Sequence, residues 1–154
     1  MKSEHYSWGI TGMTHHNIRI FIIDDEECIR DSFAMHLSSL GYQVETFSSP
    51  TACPALNGHK CEMSDSCTDI LIIDQNMPEL AGIDYLKLLV ERRCKVKPKH
   101  RIMLSGKATP DLAAKVTAMG GQIYQKPLLL DQLEEIVESA RKEIEAERST
   151  KQAG

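Results

Sequence analysis

Short apolar runs recur along the chain, and stretches with helical spacing of apolar residues separate them. Ile70 to Ile73 is too short for a free-standing helix and rich in β-branched residues, so it reads as a strand buried on both faces. Ile18 to Ile23, Tyr42 to Phe47, Arg101 to Leu104 and Gln122 to Gln125 read as the first, second, fourth and fifth strands. Between them, Ile29, Phe33, Leu37 and Leu40 form one helical face, started by the acidic run Asp24 to Glu27 and stopped by Gly41. A short helix is expected at Ser49-Pro50, with Ser49 as its cap. Another follows Gly82 with Ile83, Leu86, Leu89 and Val90 inward. Thr109-Pro110 starts a helix through Leu112, Val116 and Met119, and the last helix turns Leu133, Ile136, Val137, Ala140 and Ile144 inward.

The order of strands and helices implies a parallel sheet with helices on both faces, because each right-handed crossover is long enough to hold a helix. The expected fold is α/β, a flavodoxin-like doubly wound five-stranded sheet of order 2-1-3-4-5. Residues 1–17, without sustained periodicity, read as a flexible N-terminal arm, 18–145 as the folded domain and 146–154 as a polar C-terminal tail that frays from about Glu145. Cys53 to Cys67 is the least regular part, where Pro54 and Gly58 argue against a full-length helix.

A chain of 154 residues, 42% hydrophobic and 26% charged, suits one domain with one core. A net charge of -4 argues against nucleic acid and anionic membrane as partners, and no apolar run approaches a membrane span or a secretory signal, so a cytoplasmic location is expected. The six Lys and Arg residues between Glu91 and Arg101 read as solvated loop surface. His5, His15 and His16 have nothing to fix them as metal ligands. Five cysteines without a dense framework suggest reduced thiols.

In this topology all strands end on one side, and those ends carry Asp24 and Asp25, Asp74, Ser105 and Lys126. Taken alone, Asp74 could simply cap the following helix. The first and third strands are neighbours where the winding reverses, however, so the three aspartates meet in one crevice. Three carboxylates repel unless a cation sits between them, and a hard, oxygen-preferring ion, Mg²⁺, answers that requirement. Lys126 and the Ser105 hydroxyl could then hold phosphoryl oxygens in line with Asp74 as nucleophile, giving an aspartyl phosphate.

The segments Phe-Ile-Ile-Asp24-Asp25-Glu, Ile-Ile-Asp74-Gln-Asn-Met-Pro-Glu-Leu-Ala-Gly82, Met-Leu-Ser105-Gly and Lys126-Pro127, in this order, resemble the receiver domain of bacterial two-component response regulators, the CheY-like family. The resemblance implies that Asp74 accepts phosphate from a phosphohistidine on a sensor histidine kinase or a phosphotransfer protein. It also implies that Asp25, Asp74 and the backbone carbonyl of Asn76 bind Mg²⁺, with Asp24 acting mainly through water, and that Ser105 and Lys126 contact the phosphoryl group. A downstream protein would read the face made by the helix after Thr109, the fifth strand and the last helix. With about 10 residues after the last helix, a stand-alone receiver in a phosphorelay is expected, not an enzyme beyond its own phosphotransfer and dephosphorylation.

Two departures from the family stand out. Its aromatic switch, three residues before the lysine, is Ile123 here, and Tyr124 comes one step later, so either the strand is locally shortened or the switch is absent. Gly106 replaces the more common Ala and should loosen the loop behind Ser105. Cys61, Cys67 and Cys94 could approach one another at the far end of the sheet, with Cys53 as a fourth ligand for zinc, although no C-x2-4-C pair occurs among Cys53, Cys61 and Cys67. A cysteine-based redox or metal sensor is therefore one alternative. An Asp-nucleophile phosphohydrolase is another, weakened because Asn76 occupies the acid/base position.

Overall fold

The computed structural model describes residues 17–52 and 66–153. Residues 1–16 of the expected arm, with its histidines, and the segment holding Cys53 and Cys61 lie outside them. In chain order the elements are β1 (Arg19–Ile23), α1 (Glu27–Ser39), β2 (Gln43–Phe47), β3 (Ile70–Asp74), α2 (Gly82–Glu91), β4 (Arg101–Ser105), α3 (Pro110–Ala118), β5 (Gln122–Gln125) and α4 (Leu130–Ala153). Single 3-10 turns occupy Pro50–Ala52 and Pro98–His100. All strand pairs are parallel and the order is β2-β1-β3-β4-β5, the expected doubly wound sheet.

Alternation along the central strands divides the core between the two faces. Ile20, Ile22, Ile70, Ile72, Ile102 and Leu104 meet Phe33 and Leu37 of α1 and Leu133, Val137 and Ala140 of α4. Ile23, Leu71, Ile73 and Met103 meet Tyr85, Leu86 and Leu89 of α2 and Val116 of α3 on the other. Tyr85, not Val90, completes the inward stripe of α2: Tyr85 is 3% exposed and Val90 49%. A stripe through Gly82, Tyr85, Leu86 and Leu89 follows the i, i+3, i+4 rule, which leaves Val90 on the rim.

Two further expectations are corrected. The polar stretch from Glu145 does not fray but continues α4 to Ala153. Ion pairs hold it: Lys97 and Lys99 reach Glu147 at 2.9 and 3.0 Å, and Arg148 reaches Asp69 at 2.8 Å. The basic run is not all solvated, because its end enters the sheet. His100 and Arg101 are buried, and the Arg101 guanidinium donates to the carbonyls of Cys94 (3.2 Å) and Val96 (2.7 Å). Among the described residues, no helix is long and apolar enough to cross a membrane.

Candidate functional site

The carboxyl ends of β1 and β3 place Asp24 and Asp74 side by side, since Ile23 pairs with Ile73 in the parallel register. Both are almost fully buried, at 2% and 3% exposure, while the neighbouring Asp25 is exposed. Carboxylate oxygens of Asp24, Asp25 and Asp74 lie within 4.8 Å of one another. Lys126, one residue past β5, aims its ammonium into this group, 3.0 Å from Asp74 Oδ1, 3.2 Å from Asp24 Oδ2 and 3.4 Å from Glu26 Oε1. The peptide bond from Lys126 to Pro127 is cis.

Burial pushes the Asp74 carboxyl above its ordinary range and the Asp24 charge adds to this, while Lys126 and the Asn76 backbone N–H pull the other way. Burial also disfavours the Lys126 ammonium, but Asp74 and Asp24 outweigh it and its pKa is raised. The Lys126 contact to Asp74 Oδ1 pairs in charge without a hydrogen bond's geometry, so this buried oxygen keeps unused acceptor capacity. Three hard carboxylates around an underused oxygen fit a divalent ion such as Mg²⁺.

Local packing fixes Asp74. Gln75 Oε1 accepts the Ile83 N–H at 2.8 Å and its carbonyl accepts the Gly82 N–H at 2.9 Å, tying the loop after β3 to the start of α2. A Cβ on Gly82 would stand 2.7 Å from the Asp74 carbonyl oxygen, so only glycine permits this approach. On the next strand Ser105 is 1% exposed, and its Oγ accepts the Lys107 N–H at 3.0 Å. Asp24 is held in turn by the Glu26 N–H on Oδ1 and by Arg30 on its carbonyl.

A family model described as the response regulator receiver domain matches residues 20–138. The chain belongs to that family. Among curated relatives, this receiver is 29% identical over 143 residues to the response regulator protein TodT of Pseudomonas putida, covering 90% of this chain and 59% of TodT. It is 30% identical over 128 residues to the transcriptional regulatory protein FixJ of Bradyrhizobium diazoefficiens, covering 82% and 58%. The chain thus spans about three-fifths of the length of these relatives. A solved CheY-like receiver domain from Methanospirillum hungatei superimposes with a TM-score of 0.66 at 26% identity, over 84% of this chain and 98% of that one. The protein is therefore a receiver of two-component signalling, a family whose acidic pocket generally takes Mg²⁺ and whose members are phosphorylated by histidine kinases.

Asp24, Asp25, Asp74 and Lys126 come together in this receiver, Ser105 ends the adjacent strand, and Asn76 lies in the loop, its backbone N–H on the Asp74 carboxylate. β5 is not shortened: Met103 faces Ile123 and Leu104 faces Tyr124 in regular register. Ile123 packs with α2 and α3, while Tyr124 packs on the α1 and α4 side and donates to Gln122 at 2.5 Å, so the family's aromatic position carries isoleucine. Sequence reasoning missed Gln125, which accepts the Ala108 N–H at 2.9 Å and donates to the Gly106 carbonyl at 2.6 Å. Nothing in the sequence marks it, since polar residues commonly end strands. Cys28 is exposed on α1, and among the described residues no cysteine belongs to a group of three possible metal ligands.

Proposed function

We propose that Asp74 is a phosphoacceptor and that the receiver is a phosphorylation switch for a protein-interaction face. What carries the reading is the convergence of a buried carboxylate, two further aspartates and the Lys126 ammonium at the carboxyl ends of β1, β3 and β5. An Asp74 carboxylate oxygen attacks phosphorus as the P–N bond to the donor imidazole breaks, and the imidazole leaves with a proton from solvent. Lys126 holds an equatorial phosphoryl oxygen, and the Ser105 hydroxyl donates to another. Asp25, Asp74 and the Asn76 carbonyl would hold Mg²⁺, with Asp24 through water; bound there, the ion supplies positive charge against the carboxylates and the incoming phosphoryl group.

The partners of this reading are a sensor histidine kinase or phosphotransfer protein upstream and a protein target downstream, and the receiver turns over nothing beyond its own phosphoryl group. Ser105 leads into the loop 106–108, which Gln125 ties to β5. Drawing Ser105 toward the phosphate therefore shifts that loop against β5 and repacks the face of α3, β5 and α4 without an aromatic side chain at position 123. Phosphate favours one of two packings of that face.

Intact mass after incubation with Mg²⁺ and a small acyl phosphate tests the reading. A phosphate adduct is expected on the wild type and none on Asp74→Asn. No adduct on the wild type, with Mg²⁺ binding demonstrated, would overturn it.

A further inference from the structure

At the opposite end of the sheet lies a second polar cleft, of about 460 Å³. It opens where β1 begins at Arg19 and where Asp69 precedes β3, about 15 Å from the Asp74 crevice at the rise of a five-residue strand. Its volume is that of a small-molecule site and exceeds what a single phosphate fills.

The charge of the walls is one-sided. Arg19, Lys95, Lys97, Arg148 and Lys151 line the cleft against the carboxylates of Asp69 and Glu147, an excess of three positive charges with His100 neutral. The two carboxylates orient the cations. Asp69 takes Arg19 through both oxygens at 3.4 Å and shares Oδ1 with Arg148 at 2.8 Å, so both guanidinium groups are set at one wall. Glu147 takes Lys97. Lys95 and Lys151 are exposed and have no partner among the described residues.

A second, independent observation points to a ligand. His100 also lines the cleft, is only 2% exposed, and neither ring nitrogen has a hydrogen-bond partner. Buried polar groups are normally satisfied, and a neutral imidazole has one N–H to give and one lone pair to offer. Turned toward the cleft, the ring would give its N–H to an anionic oxygen while Lys95 and Lys151 meet the remaining oxygens; Arg19 and Arg148, whose donors already serve Asp69 and the carbonyls of Asn17, Ser66 and Cys67, contribute charge.

We propose that this cleft binds a small phosphate-bearing anion, with Arg19, Arg148, Lys95 and Lys151 meeting its charge and His100 donating its N–H to it at the buried wall. The site is separate from the acidic crevice and does not depend on phosphorylation of Asp74. A macromolecular polyanion fits less well, because the molecule as a whole carries a charge of -4. Inorganic pyrophosphate and a nucleotide share the recognised chemistry and serve as the two probes.

The test is an NMR titration of the full chain with pyrophosphate and, separately, with a nucleoside diphosphate, at about 0.15 M salt to screen diffuse attraction. EDTA is included so that no metal recruits anions to the acidic crevice. Expected is saturable binding that moves the His100 ring resonances, unchanged in Asp74→Asn and weakened at least about tenfold in the Lys95→Glu/Lys151→Glu double variant, whose changes lie on exposed side chains. Tighter binding of the diphosphate nucleoside would assign the rest of the cleft to the nucleoside, and equal affinity would assign the site to the phosphate group alone. No saturation by either probe to about 10 mM, or binding that leaves His100 unmoved and the double variant unaffected, would overturn the proposal.

Discussion

Single atoms decide the fit around Asp74. Replacing Gly82 by Ala puts a carbon 2.7 Å from the Asp74 carbonyl oxygen, a backbone atom that cannot swing away. Gly82→Ala is therefore expected to cost about 1–3 kcal/mol in denaturant unfolding, the usual scale of overpacking. Gly106, by contrast, has nothing within 4 Å of an added Cβ, so Gly106→Ala should fold normally. His100 gives the pH dependence. Burial lowers its pKa from the ordinary 6.5, and the charges of Lys99 and Lys97 add to this, together outweighing the opposing pull of Glu143 and Glu147. The unfolded chain then binds the proton more readily, so this contribution is fully present above pH 6.5 and is lost as pH falls below it. His100→Gln should flatten that part of a stability profile measured between pH 7 and 5. The aspartates, Ser105 and Lys126 were legible as strand-end residues. Neither the burial of His100 nor the contact at Gly82 was, because the first depends on how elements pack and the second on how the loop after Asp74 folds back on itself.

At the scale of elements, caps and faces followed the local pattern closely. Thr109 accepts the Leu112 N–H at 3.2 Å with Pro110 in the first turn, and Phe33 and Leu37 bury as their spacing requires. One cap runs against propensity: Arg93, just past α2, has φ 58°, a left-handed conformation that glycine adopts without the side-chain penalty. Arg93→Gly should stabilise the fold by roughly 0.5–1 kcal/mol, read as a higher denaturation midpoint at unchanged slope. The last helix shows the reverse limit. Its segment past Glu145 lacks an apolar stripe strong enough to predict a helix, yet ion pairs to Lys97, Lys99 and Asp69 hold it at the end of the sheet opposite Asp74. Arg148→Ala should cost less than about 1 kcal/mol, because the pair is partly exposed and Asp69 keeps Arg19.

On the scale of the whole molecule, the aspartates, brought together from β1 and β3, are a charge conflict that folding must carry and a cation relieves. Mg²⁺ at about 100 times its dissociation constant should raise the unfolding free energy of the wild type by about 2.7 kcal/mol, an effect reversed by EDTA and much reduced in Asp25→Asn. The sequence by itself determined the strand and helix order, hence the parallel doubly wound sheet and the common side on which Asp24, Asp74, Ser105 and Lys126 emerge. These follow from hydrophobic period and crossover handedness, which are local or nearly so. Tertiary structure alone decided which face Tyr124 takes, that Gln125 ties the loop behind Ser105, and that Arg19 and Arg148, 129 positions apart in the chain, meet on Asp69. Such pairings are set by the packing of elements already formed, and periodicity along one segment carries no record of its distant partners.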